Sequence, residues 1–159
     1  NFSSSNIVMS NMYGPLDHFE IERSHALGAL ILKVYNAKKN NIGFIDIWGS
    51  GKPIREWLYV QDGAESLIRA LELEPGHHFF NVGSGQGYSV IEIAKKIARE
   101  FDWDGEFKLD TSKPDGVLEK KVNPKLGETI LNWSPKTTID KGIKLTVEWF
   151  IKNEKNITQ

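Results

Sequence analysis

Phe79-Phe80-Asn81-Val82-Gly83-Ser84-Gly85-Gln86-Gly87-Tyr88-Ser89-Val90-Ile91-Glu92 is the stretch whose reading decides the fold class. A short run of strand-forming residues leads into a glycine-rich turn, and the turn leads into a helix start. Ser89 is placed to cap that helix, and Glu92, three residues later, completes a capping box. Ile93, Ile97 and Phe101 then continue an apolar stripe at helical spacing. Strand, turn and helix in succession are the repeating unit of an α/β fold. The glycines are spaced G-x-G-x-G, short of the dinucleotide fingerprint, and no acidic residue closes a second strand about 20 positions on. The run therefore reads as a structural turn.

Working outward, Ile7-Val8-Met9 reads as a short strand, and Ser10-Asn11-Met12-Tyr13-Gly14-Pro15 as the turn that ends it, with a loop through Asp17, His18 and Phe19. From about Ser24, the residues Leu27, Leu30, Ile31, Val34 and Tyr35 predict a helix that Asn40-Asn41 breaks. Phe44, Ile45 and Ile47 form a strand running into the turn Trp48-Gly49-Ser50-Gly51-Lys52-Pro53, and Trp57-Leu58-Tyr59-Val60 forms another. Asp62 is placed to N-cap a helix from Gly63 to about Leu73, which Pro75-Gly76 ends. Phe107-Lys108-Leu109-Asp110 is a strand, Lys113-Pro114-Asp115-Gly116 a turn, and the last helix spans Ile139 to Asn153. Strands and helices alternate, but they do not make up the full set of βαβ units of a self-sufficient doubly wound sheet.

The 159 residues suit one domain, and an apolar content of 40% suffices for a core. With 20 basic against 21 acidic residues, the net charge of -1 supplies no footprint for nucleic acid or an anionic membrane. No apolar run reaches the ~20 residues of a membrane span. The absence of cysteine excludes a disulfide frame and a thiolate metal site, and agrees with a cytoplasmic location.

Among residues that could carry chemistry, His25 sits at a loop-helix junction, where an imidazole can face a ligand and move a proton, although a lone histidine there is more often a surface or capping residue. His77 and His78 follow Pro-Gly without a carboxylate at ligand spacing, so no metal site is expected and both read as turn residues. Between Trp48 and Trp57 the chain places an indole, a tight turn and the guanidinium of Arg55. An indole can pack on a base and Arg can grip phosphate oxygens bidentately. The alternative is a turn with both indoles in the core and Arg55 paired to Glu56 or Asp62. Spacing does not choose between them.

Asn11-Met12-Tyr13-Gly14-Pro15 resembles the N-x-Y-G-P segment of the extended short-chain dehydrogenase/reductases, the NAD-dependent epimerases and dehydratases. Trp48 to Glu56 followed by Tyr59-Val60-Gln61-Asp62, and then Asn81-Val82-Gly83-Ser84-Gly85, resemble that family's next two landmarks in order. The resemblance implies a fold in which residues 1–159 are the sugar-nucleotide-binding C-terminal part, with a few elements of an incomplete Rossmann domain. His25, Lys33 eight residues later, and Lys113-Pro114-Asp115-Gly116 resemble most the branch that epimerises and reduces a GDP-linked 4-keto-6-deoxyhexose.

That resemblance implies His25 as a proton donor. It also implies Met9, Ser10, Asn11, Met12 and His25 against NADP or NAD, and Lys33, Trp48, Arg55 and Asp115 against the nucleotide sugar. It further implies a homodimer of the full-length enzyme. Gly28 and Met9 replace common prolines and Asn123 a usual aspartate. No Gly-x-x-Gly-x-x-Gly loop occurs, and the one Tyr-x-x-x-Lys match, Tyr35 and Lys39, lies in the helix after His25, so it reads as coincidence. The expectation is that the catalytic Ser, Tyr and Lys and most of the cofactor site lie outside these residues, leaving the chain inactive alone. A different nucleotide-sugar epimerase or 4,6-dehydratase, or a binding module without turnover, are the alternatives.

Overall fold

The computed structural model describes residues 2–20 and 24–157. Its elements run in the order β1 (Ser4–Met9), β2 (Asn11–Tyr13), α1 (Ala26–Lys39), β3 (Phe44–Trp48), β4 (Ile54–Tyr59) and α2 (Val60–Leu71). There follow β5 (His77–Val82), β6 (Gly87–Ser89), α3 (Val90–Glu100), β7 (Glu106–Asp110), β8 (Glu119–Lys120), α4 (Lys125–Leu131) and α5 (Ile139–Ile157). β1 pairs parallel with β5, Ser4 opposite His77 and Met9 opposite Val82. β2 pairs parallel with β4, and β3 with β7. β4 also carries β6 antiparallel and β8 parallel. The mixed α/β architecture with parallel pairings is the one expected from the strand, turn and helix succession.

The helices follow their apolar stripes. In α1 Leu27, Leu30, Ile31 and Val34 are buried, with Lys38 and Lys39 in the last turn where cations suit the helix dipole. In α3 Ser89 Oγ accepts from Glu92 N at 3.3 Å and Glu92 Oε2 accepts from Ser89 N at 2.7 Å, the anticipated capping box. α1, α3 and α5 pack with β3 around one core, which includes Phe19, Ile31, Ile93, Ile97, Ile143 and Phe150. A smaller core of Leu58, Ala70, Phe80, Val82, Leu131 and Trp133 lies between α2, α4 and the β1–β5 pair.

Four local expectations change. Asn11–Tyr13 is a strand, because β4 offers it a parallel partner far along the chain; the turn starts only at Gly14. Gly14 has φ +150°, and any Cβ there would press on Val60. Asp62 is no N-cap: α2 already starts at Val60, and the buried Asp62 carboxylate accepts from Lys136 N at 3.3 Å and Thr137 N at 3.0 Å. His77 and His78 open β5 rather than a turn, and His77 Nδ1 lies 3.0 Å from Ser4 Oγ on the paired strand. α5 runs on past Asn153 to Ile157.

Candidate functional site

Two clefts draw residues from the start of α1. The first, of about 320 Å³, is lined by Ser24, Ala29, Leu30, Lys33, Asp46 and Trp48, among others. The second, of about 540 Å³, is lined by Met9, Ser10, Asn11, Met12, Tyr13 and His25, among others. Ser24 and His25 are neighbours in sequence, yet one lines each cleft. His25 occupies the N-cap position of α1 in an extended conformation, and its side chain makes no capping bond, so the imidazole is not committed to the helix.

In the first cleft α1 supplies Lys33 and β3 supplies Trp48. Lys33 Nζ donates to the Asp46 carbonyl at 2.9 Å and lies 5.6 Å from the centroid of the Trp48 ring. Partial burial draws the Lys33 pKa down, against the opposing pull of Asp46. Trp48 is 63% exposed, which removes the alternative that both indoles are core residues; Trp57 alone is buried. The indole ends its strand largely exposed, and an exposed indole can pack on a flat ligand.

Arg55 and Asp115 do not line this cleft. Arg55 is the second residue of β4, and Asp115 lies on the loop after β7. Asp115 accepts from Ser50 N at 2.6 Å and from Ser50 Oγ at 2.8 Å, and these bonds, the backbone one foremost, hold its carboxyl below the usual range. Gly49, at φ +74°, is buried beneath that carboxylate, and a Cβ there would overlap Asp115 Oδ1. Asp115 thus fastens the 113–116 loop to the turn that follows Trp48. Arg55 Nη1 donates to the Ile54 carbonyl at 2.8 Å, and Nη2 lies 3.8 Å from where a Cβ on Gly116 would stand. Arg55 is paired with neither Glu56 nor Asp62, so the alternative reading of it as their structural partner does not hold.

The sequence reading missed Glu56. This carboxylate is 1% exposed. Its Oε1 accepts from Gly85 N at 2.9 Å and Ser84 Oγ at 3.5 Å, and its Oε2 from Val122 N at 2.8 Å. The glycine-rich turn therefore wraps an internal anion, which agrees with its reading as a structural turn. Tyr13, inside the N-x-Y-G-P segment, is likewise a core residue: it is 2% exposed, packs edge-on against Tyr59, and burial pushes its phenol up. Among the described residues no group of His, Asp and Glu is placed to hold a metal ion, and no helix is long and apolar enough to cross a membrane.

The second cleft leaves polar capacity unused. Ser10, in its lining, has a buried hydroxyl with no hydrogen-bond partner, and Ser24 in the first cleft has another. A buried hydroxyl without a partner costs free energy, and a polar ligand would offset it. Met9, Ser10, Asn11, Met12 and His25 thus share one cleft with an unsatisfied hydroxyl that a polar ligand could engage.

A profile of the NAD dependent epimerase/dehydratase family matches residues 1–83, just over half of the sequence, and the chain belongs to that family. Its curated relatives include several GDP-L-fucose synthases. It is 37% identical over 153 residues to GDP-L-fucose synthase of Sinorhizobium fredii, covering 96% of this chain and 48% of that protein. The corresponding Escherichia coli synthase is 32% identical, with 93% of this chain and 49% of that protein covered. The crystal structure of a GDP-L-fucose synthetase from Naegleria fowleri bound to NADP superposes with a TM-score of 0.87 at 29% identity, over 98% of this chain and 49% of that one. The chain spans about half the length of the curated relatives it matches.

Proposed function

We propose that this chain is the nucleotide-sugar-binding part of an NADP-dependent epimerase/reductase that acts on a GDP-linked 4-keto-6-deoxyhexose, a reading supported by its likeness to GDP-L-fucose synthases. The observation that carries the reading is the junction at α1, where Ser24 lines the Lys33–Trp48 cleft and His25 lines the Met9–Met12 cleft. A reaction that moves both a proton and a hydride on one sugar needs its acid between the nucleotide-sugar site and the nicotinamide. His25 stands there.

In this reading Lys33 and Arg55 neutralise the diphosphate and Trp48 packs on the nucleotide. Asp115 positions the loop through Ser50 and accepts from the ligand only with such capacity as its two Ser50 bonds leave. Ser10, Asn11 and the two flanking methionines bound the cofactor, which when present supplies the hydride for 4-keto reduction. His25 gives or takes the proton at the sugar carbons during epimerisation. The reading includes NADP over NAD, a homodimer of the assembled enzyme and a cytoplasmic location. Since the 159 residues hold no dinucleotide loop and no catalytic Tyr/Lys pair, the chain binds without turnover.

The test is titration calorimetry of the folded chain with GDP, beside an assay for NADPH oxidation with GDP-sugars. Wild type binds GDP and oxidises no NADPH. Arg55→Lys loses the planar two-pronged donor and raises the Kd about tenfold, the effect of a ~1.4 kcal/mol loss. An unaltered affinity in Arg55→Lys removes Arg55 from the site. Hydride transfer by the purified chain refutes the claim of binding without turnover.

A further inference from the structure

Trp48 has two ammonium groups near its ring, and the second is unaccounted for by the proposed site. Lys33 reaches the indole from α1 at 5.6 Å, and Lys113 reaches it from the loop after β7 at 5.8 Å from the ring centroid. Each cation gains roughly 0.5–1 kcal/mol from an exposed aromatic face. Two like charges gathered on one ring also repel, and the arrangement is eased when an anion joins them.

The acids nearby fill that role only in part: Asp46 acts on Lys33 and Asp110 on Lys113 as charges, without an ion-pair contact. Among the described residues neither lysine forms an ion pair. Asp110 turns its carboxylate to Ser112, accepting from N at 3.1 Å and Oγ at 2.5 Å, and the Asp115 carboxylate is held by Ser50. Asp46 gives Lys33 its carbonyl. Lys113 is therefore an exposed cation that feels the Asp110 charge but makes no ion-pair contact with either flanking acid, on a loop anchored to the turn after Trp48.

We propose that Lys113 is a second diphosphate-binding cation of the nucleotide site, delivered to Trp48 by the loop that Asp115 fastens to Ser50. The proposal rests on the reading of the Lys33–Trp48 cleft as that site. A diphosphate carries more charge than one ammonium can match, and a lysine contributes as a mobile point charge that can leave the ring for a phosphate oxygen. Lys113 then acts on the phosphates and not on the base.

The experiment titrates the purified 159-residue chain with GDP, inorganic pyrophosphate and guanosine at low and high salt, folding being checked by circular dichroism. Lys113→Gln is expected to raise the Kd for GDP and for pyrophosphate about five- to tenfold and to flatten the salt dependence. Guanosine binding stays as in wild type, and Lys113→Arg restores the affinity for both anions. If wild type binds GDP and Lys113→Gln binds it equally well, the proposal is overturned while the reading of the cleft stands. Equal weakening toward guanosine also overturns it, since Lys113 would then act by holding Trp48. If the folded wild-type chain binds neither GDP nor pyrophosphate, the cleft reading fails and the proposal with it.

Discussion

Replacing Glu56 by Gln changes one atom in the interior and should be among the costliest single substitutions in the chain. Both carboxylate oxygens are used, Oε1 by Gly85 N at 2.9 Å and Oε2 by Val122 N at 2.8 Å. An amide keeps one acceptor and turns two N–H donors toward whichever backbone N–H it faces, and at 1% exposure no water relieves the conflict. Losing a charge-assisted hydrogen bond costs about 1.5–3 kcal/mol and stranding a buried donor about 1–3, two overlapping terms that together come to about 3 kcal/mol. At roughly 2–4 °C per kcal/mol for a chain of this size, the Tm falls by roughly 6–12 °C. Urea unfolding read by tryptophan fluorescence measures the loss directly, with the m value unchanged. A variant within about 0.5 kcal/mol of wild type would refute the reasoning, because surface substitutions away from such networks already give that much.

Two further outcomes follow from the site and the caps. When this chain replaces the matching part of the Sinorhizobium fredii synthase, His25→Gln should slow solvent-deuterium incorporation at the sugar carbons by roughly 10²–10⁴-fold and leave the Kd for GDP as it was; unchanged incorporation returns His25 to a surface role. Ser89→Ala removes the cap of α3 and should cost about 1 kcal/mol at neutral pH. Hydrogen bonds from Ser89, its hydroxyl foremost, hold the Glu92 carboxyl below its ordinary 4.5. The folded state thus favours the ionised form, so the box contributes fully above that value and its contribution fades as pH falls below it. The stability gap between wild type and Ser89→Ala should accordingly narrow in unfolding curves below about pH 4, and a gap that stays constant would exclude the ionised box as its source.

What could be read from the sequence was local. The α3 capping box and the apolar stripes of α1 and α3 depend on residues three and four apart, and each was found where its period placed it. Asn11–Tyr13 and His77–His78 were misread as turns because their strand character comes from partners 46 and 73 positions away, which no local window contains. Glu56 was invisible for the same reason. Its sequence neighbour Arg55 offered itself as a partner, while its actual donors are backbone groups of Gly85 and Val122. α4 was missed because it is 7 residues long and has no side-chain cap. For the site, family likeness singled out His25, Lys33, Trp48, Arg55 and Asp115. It could not tell that Asp115 is already engaged by Ser50, or that Lys113 comes to rest over Trp48.

The parallel pairings have a consequence for how this chain reaches its native state. β1 must find β5 across 73 positions, β2 must find β4 across 46, and β3 must find β7 across 62. No two-residue hairpin is available to start any of these sheets, so each pays its loop-closure entropy before its ladder returns anything. The helices α1 and α3 form on their own local signals, and the sheets wait for them to meet in the shared core. A chain wired this way belongs with the slower folders of its size, and through that wait the faces of its strands stand open to one another and to other chains.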